Sequence, residues 1–172
     1  TDVAEMLGVT RYSHPEQEQK VVNPGRNRGG PSPVRYPAPS DDPPDYDLEN
    51  YKRYSFLLQD EENVIITEKT EGENIRMTFS DGKFHVSSHY WWKEERPDCH
   101  FWNSMKKHPE IMTFLEDNPG LVAYGETYGG VKGFSYGVPQ GERRVALFDF
   151  WRKEDGWEDA PCFLEVCRMF NL

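Results

Sequence analysis

The dipeptide Asp81-Gly82 limits what this chain can fold into more than any other pair of residues. It stands between two short runs, Asn74 to Phe79 and Lys83 to Ser88, with Ile75, Met77, Phe79, Phe84 and Val86 alternating against polar neighbours. A two-residue loop joining paired strands needs positive φ at both positions, and Asp-Gly adopts that geometry at little cost. The spacing therefore predicts an antiparallel hairpin, and one face of that hairpin must be buried.

The rest of the chain supplies what such a sheet needs. Strands are expected at Leu121 to Thr127 and at Arg143 to Trp151, where Val145, Leu147 and Asp149 alternate against Ala146, Phe148 and Phe150. Asn63 to Lys69, with a Val64-Ile65-Ile66 centre, suits a strand buried on at least one face. Cys99 to Lys107 and Pro109 to Glu116 read as helices, the second opened by its proline and stopped by Asn118-Pro119-Gly120. Pro161 to Phe170 places Phe163, Leu164, Cys167 and Phe170 at helical spacing, as an amphipathic helix lying on a sheet does. The fold class is α+β, with an antiparallel sheet and few helices. Gly129, Gly130, Gly133 and Gly137 mark a long loop whose spacing fits neither a P-loop nor a dinucleotide fingerprint.

Upstream, prolines 15, 24, 31, 33, 37, 39, 43 and 44 and the Gly29-Gly30 pair rule out a continuous helix or ladder. Residues 1–45 read as a Pro/Gly-rich arm or linker, with a short helical turn at Asp2 to Leu7, and the ordered domain as residues 46–172. Arg26, Arg28 and Arg35 in the arm are solvated linker charges or phosphate contacts. With 172 residues there is room for one domain of ordinary size. The formal net charge of −10 excludes wrapping a polynucleotide by bulk positive charge, so any such contact must be local. Cys99, Cys162 and Cys167 have no paired short spacing, which suggests neither a disulfide framework nor a closed zinc site. No run is long enough to span a membrane and no charged-then-apolar leader opens the chain, so a soluble, reducing, cytoplasmic setting is expected.

The run Glu68-Lys69-Thr70-Glu71-Gly72-Glu73-Asn74 sits between the apolar stretch and the hairpin. A lysine at a strand end, followed by a glycine that permits a sharp turn, is held in place and can be partly desolvated, which suits an amine nucleophile. Taken alone, the run is only a charged strand exit and turn.

Lys69-Thr70-Glu71-Gly72-Glu73-Asn74 resembles the K-x-x-G-x-N nucleotidyltransferase motif of the ATP-dependent RNA ligase family, and other pieces follow in the family's order. Tyr46-Asp47-Leu48-Glu49-Asn50 resembles the lead-in to the lysine strand, and Ser87-Ser88-His89 falls at a Ser-Arg or Ser-His element. Val122-Ala123-Tyr124-Gly125-Glu126 resembles the next adenylate motif, and Leu147-Phe148-Asp149-Phe150 the aromatic-Asp motif after it. The resemblance covers roughly residues 46 to 172. It implies an antiparallel-sheet, ATP-grasp-like adenylyltransferase domain that uses ATP and Mg2+ to join a 5′-phosphate and a 3′-hydroxyl of RNA. Lys69 would be the nucleophile that carries AMP. Glu126 would accept the ribose hydroxyls, Phe148 would stack on adenine, and Asn74 and Glu68 would line the nucleotide pocket. His89 stands where many relatives have an arginine that contacts phosphate. Without the resemblance, Glu126 reads as a solvated loop acid and Phe148 as an ordinary core ring. Tyr90, Trp91, Trp92 and Lys93 are either packing at a strand end or an aromatic-basic surface for RNA ends.

The family pattern continues with a Glu-Gly strand and a lysine-bearing strand not found before Leu172, so the domain is expected to be incomplete at its C-terminus. Its N-terminal residues loosely resemble the join after an OB-type module. A catalytically silent module of the same fold, or a DNA ligase or capping-type nucleotidyltransferase, are the alternatives. Asn74 favours the RNA ligases over the last two, which usually carry arginine there.

Overall fold

A computed structural model of the chain describes residues 36–40, 43–48, 51–54, 56, 63–130 and 135–172. The chain separates into two units, Thr1–Pro33 and Val34–Leu172. The first unit, with the helical turn expected at Asp2 to Leu7, lies outside the described residues, as do Arg26, Arg28, Arg35 and Gly133.

In chain order the second unit holds α1 (Tyr51–Tyr54), β1 (Glu73–Ser80), β2 (Lys83–Ser88), β3 (Trp92–Lys93), α2 (His100–Met105), α3 (Pro109–Asp117), β4 (Val122–Tyr128), β5 (Arg144–Arg152), β6 (Gly156–Trp157) and α4 (Ala160–Phe170). The strands form one antiparallel sheet in the order β3-β2-β1-β4-β5-β6. The hairpin is as the dipeptide requires: Asp81 and Gly82 have φ of 54° and 72°, and Phe79 pairs with Phe84 across the turn. The helices at 100–105, 109–117 and 160–170 fall within a few residues of their expected bounds. The two-residue strands β3 and β6 are too short to leave a periodic signal.

The two faces of the sheet differ in kind. On one, Ile75, Met77, Val86, Ala123, Val145 and Phe150 meet Phe101, Trp102 and Met105 of α2, Ile111, Phe114 and Leu115 of α3, and Phe163 of α4. Phe150 is the centre of this core, with its ring 5.4 Å from that of Phe114 and 4.9 Å from that of Phe163. His108 ties α3 to β5 by accepting the Val145 N–H at Nε2 (3.1 Å).

The opposite face carries polar residues, yet Arg76, Thr78, His85 and Ser87 are buried. They are covered by residues expected to be a surface arm. Ser40 donates its backbone N–H and hydroxyl to the Asp81 carboxylate (3.2 and 3.0 Å), Pro39 and Pro43 are buried, and Tyr124 donates its hydroxyl to the Pro44 carbonyl (2.7 Å). Arg76 fixes this strap from beneath. Its Nη1 donates to the Pro43 and Pro44 carbonyls (3.2 Å each) and to Asp45 (3.0 Å), and its Nε to Ser87 Oγ (2.7 Å). The guanidinium lies 5.2 Å over the Trp92 ring. A proline-rich segment has few N–H groups to offer but keeps its carbonyls, and a buried guanidinium is the donor set that satisfies them.

The strand expected at Asn63 to Lys69 is not formed: residues 63–70 lie outside any ladder, and Val64, Ile65 and Ile66 are 54%, 50% and 71% exposed. An apolar run reports a tendency to be covered, whereas a strand needs a neighbour's N–H and C=O groups. Both edges of β1 are taken by β2 and β4.

Replacing Arg76 with leucine should lower unfolding free energy by about 2–3 kcal/mol, because carbonyls and a hydroxyl buried around it lose a charged donor. Ser87→Ala, which removes one acceptor, should be milder. Urea unfolding reads both, and an Arg76→Leu protein as stable as the parent would remove the guanidinium from this role.

Candidate active site

The register of β1 against β4 assembles the site. Asn74 stands directly opposite Glu126, and Arg76 opposite Tyr124, all on the strap face. Just before β1 the backbone runs so close to β4 that a Cβ on Gly72 would lie 2.2 Å from the Thr127 carbonyl oxygen. Only glycine allows this approach. Gly72 thereby lies against the Glu126 side chain, whose Cγ would be 3.1 Å from that Cβ, and its N–H and the positive charge of Lys69, three residues upstream, both favour the ionised carboxylate. Burial is the larger influence and holds the Glu126 carboxyl above the usual range despite Lys69 and Gly72. Beside it, the Asn74 side-chain oxygen is buried with no hydrogen-bond partner, an acceptor open to a ligand donor.

Lys69 itself is exposed rather than partly desolvated, and so is Glu68. Both lie on the unpaired extended run, where no neighbouring strand covers them. The difference from expectation has the same origin as the missing strand.

A bulge in β5 places the aromatic part of the site. Tyr124 pairs with Asp149 and Gly125 with Leu147, so Phe148 is the extra residue. The inserted residue resets the alternation: Leu147 and Phe150 both reach the helix side, while Phe148 and Asp149 both meet Tyr46 of the strap. Phe148 is thus not a core ring. The ring of Tyr46 lies 4.6 Å from that of Phe148, 5.5 Å from Tyr124 and 5.1 Å from Trp157. Its hydroxyl donates to Asp149 Oδ2 (3.2 Å). Burial, reinforced by Asp149, pushes the Tyr46 hydroxyl up to about 12. The Asp149 carboxyl is also raised, chiefly by burial, against hydrogen bonds from the Phe150 N–H and Tyr46.

His89 follows the end of β2, its ring edge-on to Tyr90 at 4.1 Å. The structure thus sets Asn74 opposite Glu126 with the Lys69 charge bearing on that carboxyl, puts Phe148 on the same face two strands from β1, and leaves Glu68 on the unpaired run before β1 and His89 just past the end of β2. Sequence reasoning assigned no role to Tyr46, Arg76 or Asp149. Tyr46 and Asp149 lay inside quoted motifs, but a hydrogen bond between residues 103 positions apart has no local signature. Among the described residues no group of three or more His, Cys, Asp and Glu side chains gathers. A separate cleft of about 110 Å³, lined by His100, Asn103, Ser104, Lys107, Gly141 and Arg143, holds none of the candidate residues.

A carboxyl raised in the fold binds its proton more tightly there than in the unfolded chain, so its ionisation lowers stability as pH rises from the usual Glu range through the raised value. Glu126→Gln should therefore raise the melting temperature at neutral pH, and the gain should vanish in acid, where the parent carboxyl is protonated too. Thermal scans across pH check this, and a pH-independent effect would contradict the burial argument.

With the geometry in view, the family can be stated. A family model described as RNA ligase matches residues 62–167. No curated protein sequence matches the chain. Among solved structures, Naegleria gruberi RNA ligase with pyrophosphate superposes with a TM-score of 0.67 at 18% identity, covering 99% of this chain and 48% of that one. A lysine-to-alanine mutant of the same ligase with ATP and Mn gives 0.51 at 17% identity over 58% of this chain and 30% of that one. A glutamate-to-alanine mutant with AMP and Mn gives 0.52 at 17% identity, over 60% and 31%. The chain spans about half or less of the length of the solved ligases it matches. At these identities the structural likeness carries the fold alone, an antiparallel sheet with a few helices. The family match covers most of the chain and includes Lys69, Gly72, Asn74, Glu126 and Phe148: the chain belongs to the RNA ligase family.

Proposed function

We propose that this chain is the nucleotide-binding part of an ATP-dependent RNA ligase that works through a lysyl-AMP intermediate at Lys69. The observation that carries the reading is the packing of Gly72 against the Glu126 side chain with Asn74 facing it across β1 and β4, which holds the lysine segment at a carboxyl whose ionised form the Lys69 charge favours.

In this reading the Lys69 amine attacks the α-phosphorus of ATP, forming a P–N bond and giving up a proton as the bond to pyrophosphate breaks. A 5′-phosphate oxygen of RNA then displaces Lys69 and takes the AMP. The 3′-hydroxyl of a second end attacks the activated phosphate, loses its proton, and AMP departs. Positioning and charge stabilisation dominate such transfers. The Glu126 carboxyl accepts hydrogen bonds from ribose hydroxyls, and Asn74 offers an acceptor beside it. Phe148 supplies a stacking surface for adenine on the face turned from the core. Its contact with Tyr46 means that the strap sets how much of the ring a base can reach. Glu68 lines the approach to Lys69, and His89 stands at the phosphate end. ATP as the adenylyl donor is in keeping with the Naegleria gruberi ligase solved with ATP and Mn. A divalent cation, magnesium in this reading, would travel with the triphosphate rather than sit on a protein cluster.

Lys69→Ala in the whole protein should abolish transfer of labelled AMP from ATP while leaving the melting temperature nearly unchanged, since an exposed lysine contributes little packing. An undiminished protein-AMP adduct would place the nucleophile elsewhere. Phe148→Leu, which keeps bulk but not the ring, should weaken ATP use on the order of tenfold, the loss of one base stack. Glu126→Ala should weaken it as well, through the lost ribose acceptor.

A further inference from the structure

The run Tyr90-Trp91-Trp92-Lys93 does not act as one unit. Trp92, in β3 opposite Ser87, lies beneath the Arg76 guanidinium and edge-on to His85 at 6.0 Å, so it is packing. Lys93 turns to the helix side, its Nζ 5.3 Å over the Phe101 ring. Tyr90 and Trp91 remain 65% and 37% exposed in the turn between β2 and β3. Both ends of that turn are tied: the Ser88 N–H and hydroxyl donate to the Trp91 carbonyl (3.0 and 3.4 Å), and Trp92 is anchored beyond it. The two rings are therefore presented on a braced turn rather than a loose loop.

Their position follows from the register. Ser88 pairs with Ile75, so β2 ends where β1 begins, and the turn lies at the sheet end that carries Lys69, Asn74 and Glu126. One strand separates β2 from β4, which puts the turn roughly 10 Å from Glu126 across the sheet. Rings at this place, beside a site that handles nucleic-acid ends, have flat apolar faces suited to unpaired bases, because every base can stack whatever its sequence. With a net charge of −10 and Lys93 turned away, stacking rather than phosphate neutralisation must supply the contact.

We propose that Tyr90 and Trp91 form a stacking platform for the unpaired bases next to the 5′-phosphate of an RNA end. This rests on the RNA end-joining reading above, and adds to it which part of the substrate is held and where.

The test uses the whole protein and a short single-stranded RNA bearing a 5′-phosphate, with 2-aminopurine as its first base. Stacking on the rings should quench the probe on binding, with little dependence on salt. Tyr90→Ala and Trp91→Ala should each weaken binding about tenfold, as loss of one base stack predicts, and Tyr90→Phe should restore it. No quenching by the parent, or undiminished binding by the double alanine variant, overturns the platform and leaves the rings to a protein partner. Labelled-AMP transfer at Lys69 is read on the same proteins. Variants that keep the adduct but lose the RNA response locate the defect in the platform. Quenching by a parent that forms no adduct would sink the end-joining reading and not the stacking surface.

Discussion

The guanidinium of Arg76 is the interaction on which the rest of this unit depends. It sits on the central strand pair of the sheet, 3% exposed, and holds carbonyls of a segment that has few N–H groups to form a ladder of its own. With it, Pro43 to Tyr46 are laid across the polar face of the sheet, and Tyr46 is delivered to Phe148 and Asp149 at the far side of β4. One buried cation therefore links the proline-rich segment to the strand that carries the aromatic part of the site.

Two departures from regular structure do the remaining positioning. Gly72 lets the lysine segment press against Thr127, and the bulge at Phe148 turns two successive residues of β5 to one side. A regular strand would have sent either Phe148 or Asp149 into the helix-side core. Gly125 shows the same tightness, since a Cβ there would lie 2.7 Å from the Ala146 carbonyl oxygen. The site is consequently made of backbone approaches as much as of side chains, and raised carboxyls at Glu126 and Asp149 show that burial there favours their protonated forms.

Much of this was legible in the sequence. Asp81-Gly82 announced the hairpin because its geometry is local, and the helices announced themselves through Pro109, Pro161 and apolar spacing. The motifs pointed to Lys69, Asn74 and Glu126, and the register sets the last two opposite each other at the sheet end where the lysine segment enters β1. What escaped was non-local. The apolar run Val64 to Ile66 looked like a strand because hydrophobicity cannot say whether a partner exists. The alternation in β5 looked regular because a bulge is set by the pairing strand. Arg76 drew no reading at all, since nothing nearby in sequence indicates that prolines some thirty positions upstream supply its acceptors.

The central claim is that the site gathered at Glu126 works through a covalent bond at Lys69, and peptide mapping tests it most directly. The whole protein is incubated with ATP and magnesium, digested, and examined by mass spectrometry for a peptide carrying one added adenylyl group. The account predicts that group on the side-chain nitrogen of Lys69, lost in mild acid as a phosphoramide is. An adenylyl group on any other residue, with Lys69 unmodified, would contradict it.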